Sequence, residues 1–335
     1  MKLEQQAINI ILQAVRAKEQ ELQEASSHFQ QHRIPDESIF GEQIMKLLPN
    51  MYAELNAVQS IEDPLKEILN QYYDETSDNQ LKAAYYQDLS FDAPKEELLN
   101  SLTSLISTTH ANQLPYSRSK KLLHSLVDLH EDGKARSIYS GKSMEAGTLL
   151  SYDLVYEAAV REEISKYPSL QNLNGSKEDL LESVLTALAL NVEHIIPQSW
   201  FDKASPMVGD LNHLFTCETT CNSFRSNIPY YDFDDYPSAS KEIIRNDCGK
   251  RDGEERFEPQ NGKGAVARAN LYFLTRYPDI LPQDRRKAID IPMLIKWHEE
   301  NPVTLYEKHR NWCIHHLQGN RNPYIDFPDE AAVLI

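Results

Sequence analysis

The chain has 335 residues, 41% of them hydrophobic, which is enough for one large or two medium globular domains. Its formal net charge is −17, from 34 Lys and Arg against 51 Asp and Glu. This balance excludes a protein that wraps nucleic acid by positive charge over its whole surface. Any contact with DNA or RNA is therefore expected to be local.

The compartment is predicted from the start of the sequence and from its cysteines. No basic start followed by an apolar core and a small-residue cleavage site opens the sequence, and no run of about 18 apolar residues occurs. The four cysteines are too few for a disulfide scaffold in a chain of this length. We therefore expect a cytoplasmic protein with no membrane contact.

Residues 1–95 are predicted to form an all-helical N-terminal domain. Apolar residues such as Ile8, Ile11 and Val15 recur at helical spacing, and similar stripes continue after the first predicted helix. The acidic excess lies mainly in this part of the chain. A break at residues 92–94, which include a proline, marks its end. We expect this domain to bind a protein partner, form a homo-oligomer or regulate the rest of the chain.

Residues 96–335 are predicted to mix helices with short strands and so to form an α+β domain. In chain order, the sequence pattern predicts helices at 98–107 and 117–129, a strand at 135–139, a helix at 152–167, strands at 190–196 and 210–215, and a helix at 217–226. The last three of these elements carry the side chains that indicate a chemical function.

The segment 191–230 concentrates carboxylate, imidazole and amide side chains. Glu193 and His194 are neighbours in an apolar strand, and Asn222 lies on the helix that follows. Carboxylate and amide oxygens can hold one hard cation, and an imidazole can act as a general base, which together suit phosphodiester hydrolysis. Strand alternation separates Glu193 from His194. One shared site therefore requires the strand to end or twist there, as Pro197 allows.

These residues resemble the endonuclease I family, whose core belongs to the His-metal ββα nucleases. The resemblance covers residues 98–327. Its further motifs are Leu114-Pro115-Tyr116, Ile138-Tyr139-Ser140-Gly141, Arg256-Phe257-Glu258-Pro259, Ala267-Arg268-Ala269 and Gln318-Gly319-Asn320-Arg321-Asn322-Pro323. The implied fold is a ββα-metal nuclease core embedded in a mostly helical domain, which makes residues 1–95 an extension outside the family pattern.

The resemblance implies a role for each residue of the predicted site. His194 is the implied general base, and Glu193 and Asn222 are the implied ligands of a divalent metal, usually Mg²⁺, for which Mn²⁺ can substitute. The implied reaction cleaves DNA to 5′-phosphate and 3′-hydroxyl ends. RNA stays open as the substrate, because attack at phosphorus needs no discrimination between sugars. A neutral imidazole can take the proton of the attacking water, while the metal stabilises the leaving oxygen.

Three basic residues are candidates for binding the substrate phosphate: Arg225, Arg268 and Lys263. A guanidinium can hold a phosphate through two parallel hydrogen bonds, although an arginine on a helix is often a packing or salt-bridge residue. The stretch 241–276 around Lys263 and Arg268 is the densest basic part of the sequence. It predicts a shallow cationic rim that follows the sugar-phosphate backbone without reading bases, and hence cleavage that is largely independent of sequence. The alternative is that these basic residues form ordinary solvated surface and do not bind nucleic acid.

The four cysteines offer a second metal hypothesis. Cys217 and Cys221 are one helical turn apart, and Cys248 follows in a Cys-Gly turn near the same core. With Cys313 or a histidine, these thiols could hold a structural Zn²⁺, which favours thiolate ligands and four-coordination. The spacing is not that of a standard zinc pair.

The alternative to an active endonuclease is a nucleic-acid-binding or assembly subunit that keeps the nuclease fold with little activity. Such a protein would use the fold to hold DNA, RNA or another subunit. The intact Glu193, His194 and Asn222 favour the enzyme over this alternative.

Overall fold

The computed structural model describes residues 71–150, 153, 157, 160–161, 191–234, 243–253, 255–331 and 334. The helices predicted before residue 71 lie outside these residues, as does most of the helix predicted at 152–167. The chain divides into two compact units, residues 1–66 with 148–189 and residues 67–147 with 190–335. The second unit contains the helices and strands described below.

The described part of this unit contains nine α-helices. They are α1 (Glu75–Tyr85), α2 (Lys95–Thr109), α3 (Tyr116–Leu122), α4 (Thr219–Arg225), α5 (Lys263–Arg276), α6 (Gln283–Lys287), α7 (Ile291–Glu300), α8 (Leu305–Gln318) and α9 (Pro323–Asp326). A π-helical turn at Leu123–Val127 extends α3, and 3₁₀ turns lie at Gln198–Trp200, Met207–Gly209, Leu211–His213 and Pro328–Glu330.

Seven short strands in the described residues form three antiparallel sheets. The sheets pair β1 (Lys134–Arg136) with β2 (Ser143–Glu145), β3 (Val192–His194) with β4 (Leu214–Thr216), and β6 (Gly249–Asp252) with both β5 (Ile243–Asn246) and β7 (Arg256–Pro259). Small antiparallel sheets among many helices confirm the predicted α+β class.

Helix α5 lies in the core of the unit. Every residue from Gly264 to Thr275 is buried, as expected for a helix that is covered on all sides. It packs against α2, α7 and the turn at Leu211–His213. A Cβ atom at Gly264 would lie 2.7–2.8 Å from atoms of Asn301, so a glycine is required for this close approach.

Helix α1 packs onto the C-terminal part of the same unit. Asp78 forms an ion pair with Arg321 at 2.8 Å, and the Tyr86 hydroxyl donates to Asp326 at 2.9 Å. Both carboxylates are largely buried, so these contacts tie α1 and the residue that follows it to α9 and the segment just before α9. The packing of this unit therefore starts before the predicted boundary at residue 95. Within the described ranges, no helix combines the length and the apolar character needed to cross a bilayer.

Two partly buried histidines, His130 and His315, are expected to make this fold sensitive to acid. Burial, assisted by nearby arginines, lowers the pKa of His130 and His315 to about 4. Between pH 6.5 and 4 the unfolded chain therefore binds more protons than the folded chain. Above pH 6.5 the histidines are neutral in both states and do not lower the stability of the fold. As the pH falls toward 4, the unfolded chain binds protons that the folded chain does not, and the free energy of unfolding decreases.

Urea unfolding at pH 7.5 and pH 5 measures this loss. We expect the free energy of unfolding to fall by at most about 2 kcal/mol for each of these histidines, and by less for His130, which is more open to solvent screening. Replacing His315 with Gln should make the pH dependence shallower. An identical pH dependence in the wild type and the His315→Gln variant would contradict the assignment.

Candidate functional site

Helix α4 lies along the outer edge of strand β3. The Asn222 side chain donates to the Val192 carbonyl at 2.7 Å. One turn later, the Arg225 guanidinium donates to the carbonyls of His194 and Ile195 at 3.1 and 2.8 Å. Because β4 pairs with the other edge of β3, these side chains satisfy backbone carbonyls that the sheet leaves unpaired. Two strands and a helix thus form the frame that holds the predicted site residues.

Glu193 and His194 face opposite sides of β3. The Glu193 carboxylate accepts from Arg225 at 2.7 Å. The His194 ring instead stacks on Tyr116, with ring centroids 5.4 Å apart, and lies 5.6 Å from His213. The strand ends at His194, two residues before the predicted end at residue 196. It does not twist enough to bring both side chains to one face, so simple strand alternation holds through the pair.

The Glu193 carboxylate is buried and is compensated by one arginine. Burial raises the pKa of Glu193 to about 7, and the positive charge of Arg225 opposes this rise. Arg225 is itself buried, and its guanidinium lies 4.7 Å from the ring centroid of Tyr230. The ion pair is therefore shielded from water on both sides.

His194 is held as a neutral imidazole of defined tautomer. Its Nε2 lies 3.0 Å from the Val208 carbonyl oxygen, which can only accept, so the proton resides on Nε2. Its Nδ1 lies 2.9 Å from the side-chain nitrogen of Gln198, which donates to it. Burial lowers the pKa of His194 well below its ordinary value. The lone pair of Nδ1 therefore points toward Gln198, a half-buried residue.

Gln198 and Val208 are the hydrogen-bond partners of the His194 side chain, and the sequence did not predict either of them. Gln198 lies four residues after His194 in a 3₁₀ turn, so its side chain returns to the imidazole. The sequence offers one sign of the Gln198 contact, which is that this polar residue follows shortly after the end of the strand. The Val208 contact uses a backbone carbonyl, and a side-chain pattern gives no sign of it.

A second polar network lies beside this site. The carboxylate of Asp210 accepts from the hydroxyls of Tyr272 and Tyr277 at 2.8 and 2.9 Å and from the Gln318 amide at 3.0 Å. All of these side chains are buried. His213 lies three residues after Asp210, and its Nε2 is 2.6 Å from the Met207 carbonyl oxygen. These contacts fix the turn that leads into β4 and so support the site indirectly.

Two of the three residues predicted to bind substrate phosphate have structural contacts instead. Arg225 is engaged by Glu193, and Arg268 forms two bonds to the Glu307 carboxylate at 2.6 and 2.9 Å. Each is 1% exposed, so neither guanidinium is presented to solvent. The salt-bridge alternative describes both residues better, because a buried guanidinium keeps its carboxylate partner.

Lys263, the third candidate, is only partly buried, but it is also paired. Its ammonium lies 3.0 Å from Asp232 and 2.6 Å from Glu258. Other residues of the predicted cationic rim are paired in the same way, since Lys250 lies near Glu258 and Arg256 bonds Asp252. Acidic neighbours therefore offset much of the rim in the described residues.

The zinc hypothesis is wrong. Cys221 and Cys248 form a disulfide, which removes both thiolates as ligands. Cys217 is buried beside Ser137, and Cys313 is buried beside His309. The four sulfurs therefore do not converge. In the part of the chain that the structure describes, no group of three or more His, Cys, Asp or Glu side chains is arranged to hold a metal ion.

Glu193 and Asn222 still supply the donor types that a hard divalent cation prefers. A carboxylate and an amide oxygen suit Mg²⁺, which uses few protein ligands and keeps several waters. The bond from Asn222 to Val192 places its amide against the strand that carries Glu193. The donor set therefore fits such a cation. Arg225 is the competing feature, because it already occupies a Glu193 oxygen.

Comparison with known proteins places this arrangement in a family. The family description Endonuclease I matches residues 94–329, more than half of the chain. An extracellular ribonuclease of Bacillus amyloliquefaciens is 34% identical over 157 residues, which cover 42% of this chain and 52% of the relative. An extracellular deoxyribonuclease of Aeromonas hydrophila is 30% identical over 132 residues, or 37% of this chain and 52% of the relative. A periplasmic deoxyribonuclease of Aeromonas hydrophila is 32% identical over 127 residues, or 36% and 48%.

The predicted cytoplasmic location is wrong. These relatives are named extracellular or periplasmic nucleases, which points to a secreted or periplasmic location. The Cys221–Cys248 disulfide agrees with an oxidising compartment, where such bonds persist. The chain spans about half the length of these curated relatives. With the family match over residues 94–329, the chain belongs to the endonuclease I family.

Proposed function

We propose that this protein is a nuclease, specifically a divalent-metal-dependent endonuclease that hydrolyses nucleic acid, largely without sequence preference, to 5′-phosphate and 3′-hydroxyl ends. In this proposal β3, β4 and α4 form the ββα-metal core, and His194 is the general base. The observation that supports it most directly is the state of His194. One nitrogen is fixed by the Val208 carbonyl, and the other carries a lone pair.

The proposed base has the features that proton transfer requires. The Val208 carbonyl fixes the tautomer, so Nδ1 is the atom that receives the proton of the attacking water. Gln198 donates to this atom in the structure, and a water molecule that replaces the Gln198 amide would make the same hydrogen bond. Burial keeps the imidazole neutral at physiological pH, because it lowers the pKa of His194. The ring is therefore ready to accept a proton without first losing one.

Glu193 and Asn222 would hold the divalent cation, most simply Mg²⁺, with Mn²⁺ as a substitute. Such an ion neutralises charge on the phosphate and stabilises the leaving oxygen when it is bound. Burial raises the pKa of Glu193, and Arg225 favours the ionised carboxylate against this effect by pairing with it. Since Glu193 and His194 face opposite sides of β3, the proposal requires the substrate phosphate to lie at the end of the strand, where both residues are near.

Removal of metal is the direct test. We expect supercoiled plasmid to be nicked and linearised in Mg²⁺ or Mn²⁺, and the rate to fall by at least about 100-fold in EDTA. Restoring Mg²⁺ in excess over EDTA should restore cleavage, which excludes irreversible unfolding as the cause. Equal cleavage with and without EDTA would contradict metal dependence, and no cleavage in any divalent metal would contradict the proposed reaction.

Both DNA and RNA are proposed as substrates. The relatives named above include a ribonuclease and deoxyribonucleases, and attack at phosphorus requires no contact with the 2′ position. Parallel assays with plasmid DNA and a long RNA of matched length decide between one substrate and both.

The N-terminal region is proposed to bind a partner, to form a homo-oligomer or to restrain activity. The contacts of α1 with Arg321 and Asp326 attach residues 75–86 to the nuclease unit. The proposal therefore applies chiefly to residues 1–66, which belong to the other compact unit.

A further inference from the structure

The segment from Tyr230 to Phe233 is fixed along the edge of strand β7. The Tyr231 amide donates to the Phe257 carbonyl at 2.8 Å, and the Phe257 amide donates to the Pro229 carbonyl at 3.0 Å. On the inner side, Asp232 pairs with Lys263 at 3.0 Å and with Lys296 at 2.6 Å. An extended segment held by these contacts directs alternate side chains to opposite sides.

The outward side chains of this segment form an aromatic surface. Tyr231 and Phe233 meet edge to face with ring centroids 4.8 Å apart. The Arg256 guanidinium lies 4.6 Å from the Tyr231 ring centroid and 5.4 Å from that of Phe233. Tyr231 is 36% exposed. In the described ranges, the other exposed large hydrophobic side chains are aliphatic. We call Tyr231, Phe233 and Arg256 the aromatic platform.

The platform is joined to the residues around Arg225 through Tyr230. Tyr230 precedes Tyr231, and its ring centroid lies 4.7 Å from the Arg225 guanidinium. Arg225 in turn bonds Glu193, the proposed metal ligand. Because alternate side chains of the segment lie on opposite sides, Tyr230 faces this buried ion pair and Tyr231 faces solvent.

The charge distribution of the chain favours stacking as a source of affinity. The net charge is −17, and the basic residues near the platform are paired with carboxylates. Phosphate attraction is therefore weakened. Stacking on an aromatic ring does not depend on net charge, accepts every base because each has a π face, and is strengthened by a neighbouring arginine.

We propose that the aromatic platform binds an unpaired nucleobase of the nucleic acid substrate. The preferred substrate is then single-stranded nucleic acid, or a duplex whose base is displaced from the helix. This inference rests on the proposed function, because it takes nucleic acid to be the substrate. Base-independent stacking also agrees with cleavage that is largely without sequence preference.

The test measures binding of the full chain to a fluorescein-labelled 12-nucleotide thymidine strand and to a duplex of the same length, both in EDTA. The Tyr231→Ala variant is expected to bind the single strand about 5- to 100-fold more weakly, with a smaller loss for the duplex. Tyr231→Phe keeps the ring and should stay within about twofold of the wild type. Ile280→Ala is the matched control, since Ile280 is also exposed, at 42%, and lies outside the platform.

A second measurement covers the case in which Tyr231→Ala does not fold. Wild-type protein should bind a 12-unit abasic strand more weakly than the thymidine strand, because the backbone charge is the same and the bases are missing. Equal binding of the two strands would overturn the proposal, as would an unchanged affinity of a folded Tyr231→Ala variant or an equal loss for strand and duplex. Because these measurements exclude metal, they are independent of cleavage, and a failure of the proposed hydrolysis would appear only in the Mg²⁺ assay.

Discussion

Replacing His194 with Gln is expected to lower kcat/KM for plasmid cleavage by about 10² to 10⁴, the usual contribution of a positioned general base. Gln is chosen over Ala because His194 is buried between Tyr116 and His213. A truncation to Ala would leave a cavity and an unpaired Val208 carbonyl, so lost activity could reflect lost folding. The Gln amide can still donate to that carbonyl, whereas it cannot accept a proton from water.

The loss should appear in kcat, because the imidazole acts on the attacking water and does not bind the rest of the substrate. Unfolding by urea should show that the variant is folded under the assay conditions. His213→Gln is the matched control: it also replaces a buried imidazole that contacts a backbone carbonyl, in this case that of Met207. We expect this control to keep activity within about tenfold of the wild type. Wild-type turnover by His194→Gln would exclude His194 as the base.

The order of elements around the site could be predicted from local pattern. The strand at 190–196 and the helix at 217–226 were found as β3 and α4, with bounds that are shorter by a few residues. The second strand was placed at 210–215, but residues Leu211–His213 form a 3₁₀ turn and β4 starts at Leu214. The physical reason is Asp210, whose side chain accepts from the Asn212 amide and caps the turn. An aspartate at that position was a signal for a turn.

Pairing over long separations could not be predicted in the same way. The Glu193–Arg225 pair joins residues 32 apart, and the Cys221–Cys248 disulfide joins residues 27 apart. A sequence shows which side chains can pair, but folding decides which of them meet. The same limit explains why Arg225 was considered for phosphate binding, since a guanidinium serves a carboxylate and a phosphate equally well.

The compartment was mispredicted from weak signals. Four cysteines in a long chain do not form a scaffold, yet a single disulfide between Cys221 and Cys248 is enough to connect α4 to the turn between β5 and β6. Because Cys221 precedes Asn222, this bond holds the proposed metal ligand helix against a second sheet. Counting cysteines without their positions overlooks such a local role.

Replacing Arg225 with Met is expected to destabilise the fold by about 3 to 5 kcal/mol, which is typical when one partner of a buried ion pair is removed. The variant leaves the Glu193 carboxylate buried without its cation, and it also leaves the carbonyls of His194 and Ile195 without a donor. Met fills much of the volume of the arginine stem, so the loss measures charge and hydrogen bonds more than packing. Urea unfolding at pH 8 gives the free energy of unfolding.

Two comparisons separate charge from packing. Adding Glu193→Gln to Arg225→Met removes the buried charge and should recover part of the stability. Lys308→Met is the control for an exposed pair: Lys308 and Glu75 are 3.2 Å apart with side chains that are 42% and 66% exposed, so we expect a loss below about 1 kcal/mol. A loss below 1 kcal/mol for Arg225→Met would mean that the buried pair does not stabilise the fold.

The effect of Arg225→Met should also depend on pH in a defined direction. In the wild type, burial raises the pKa of Glu193 to about 7 even though Arg225 opposes it, so removing Arg225 raises this pKa further. The folded variant then binds a proton that the unfolded chain has already released above pH 4.5, and its stability falls as the pH rises. At pH 6 Glu193 can become neutral, which limits the cost of its burial. At pH 8.5 it cannot do so as readily, and the difference in unfolding free energy between wild type and variant should therefore be larger at pH 8.5 than at pH 6.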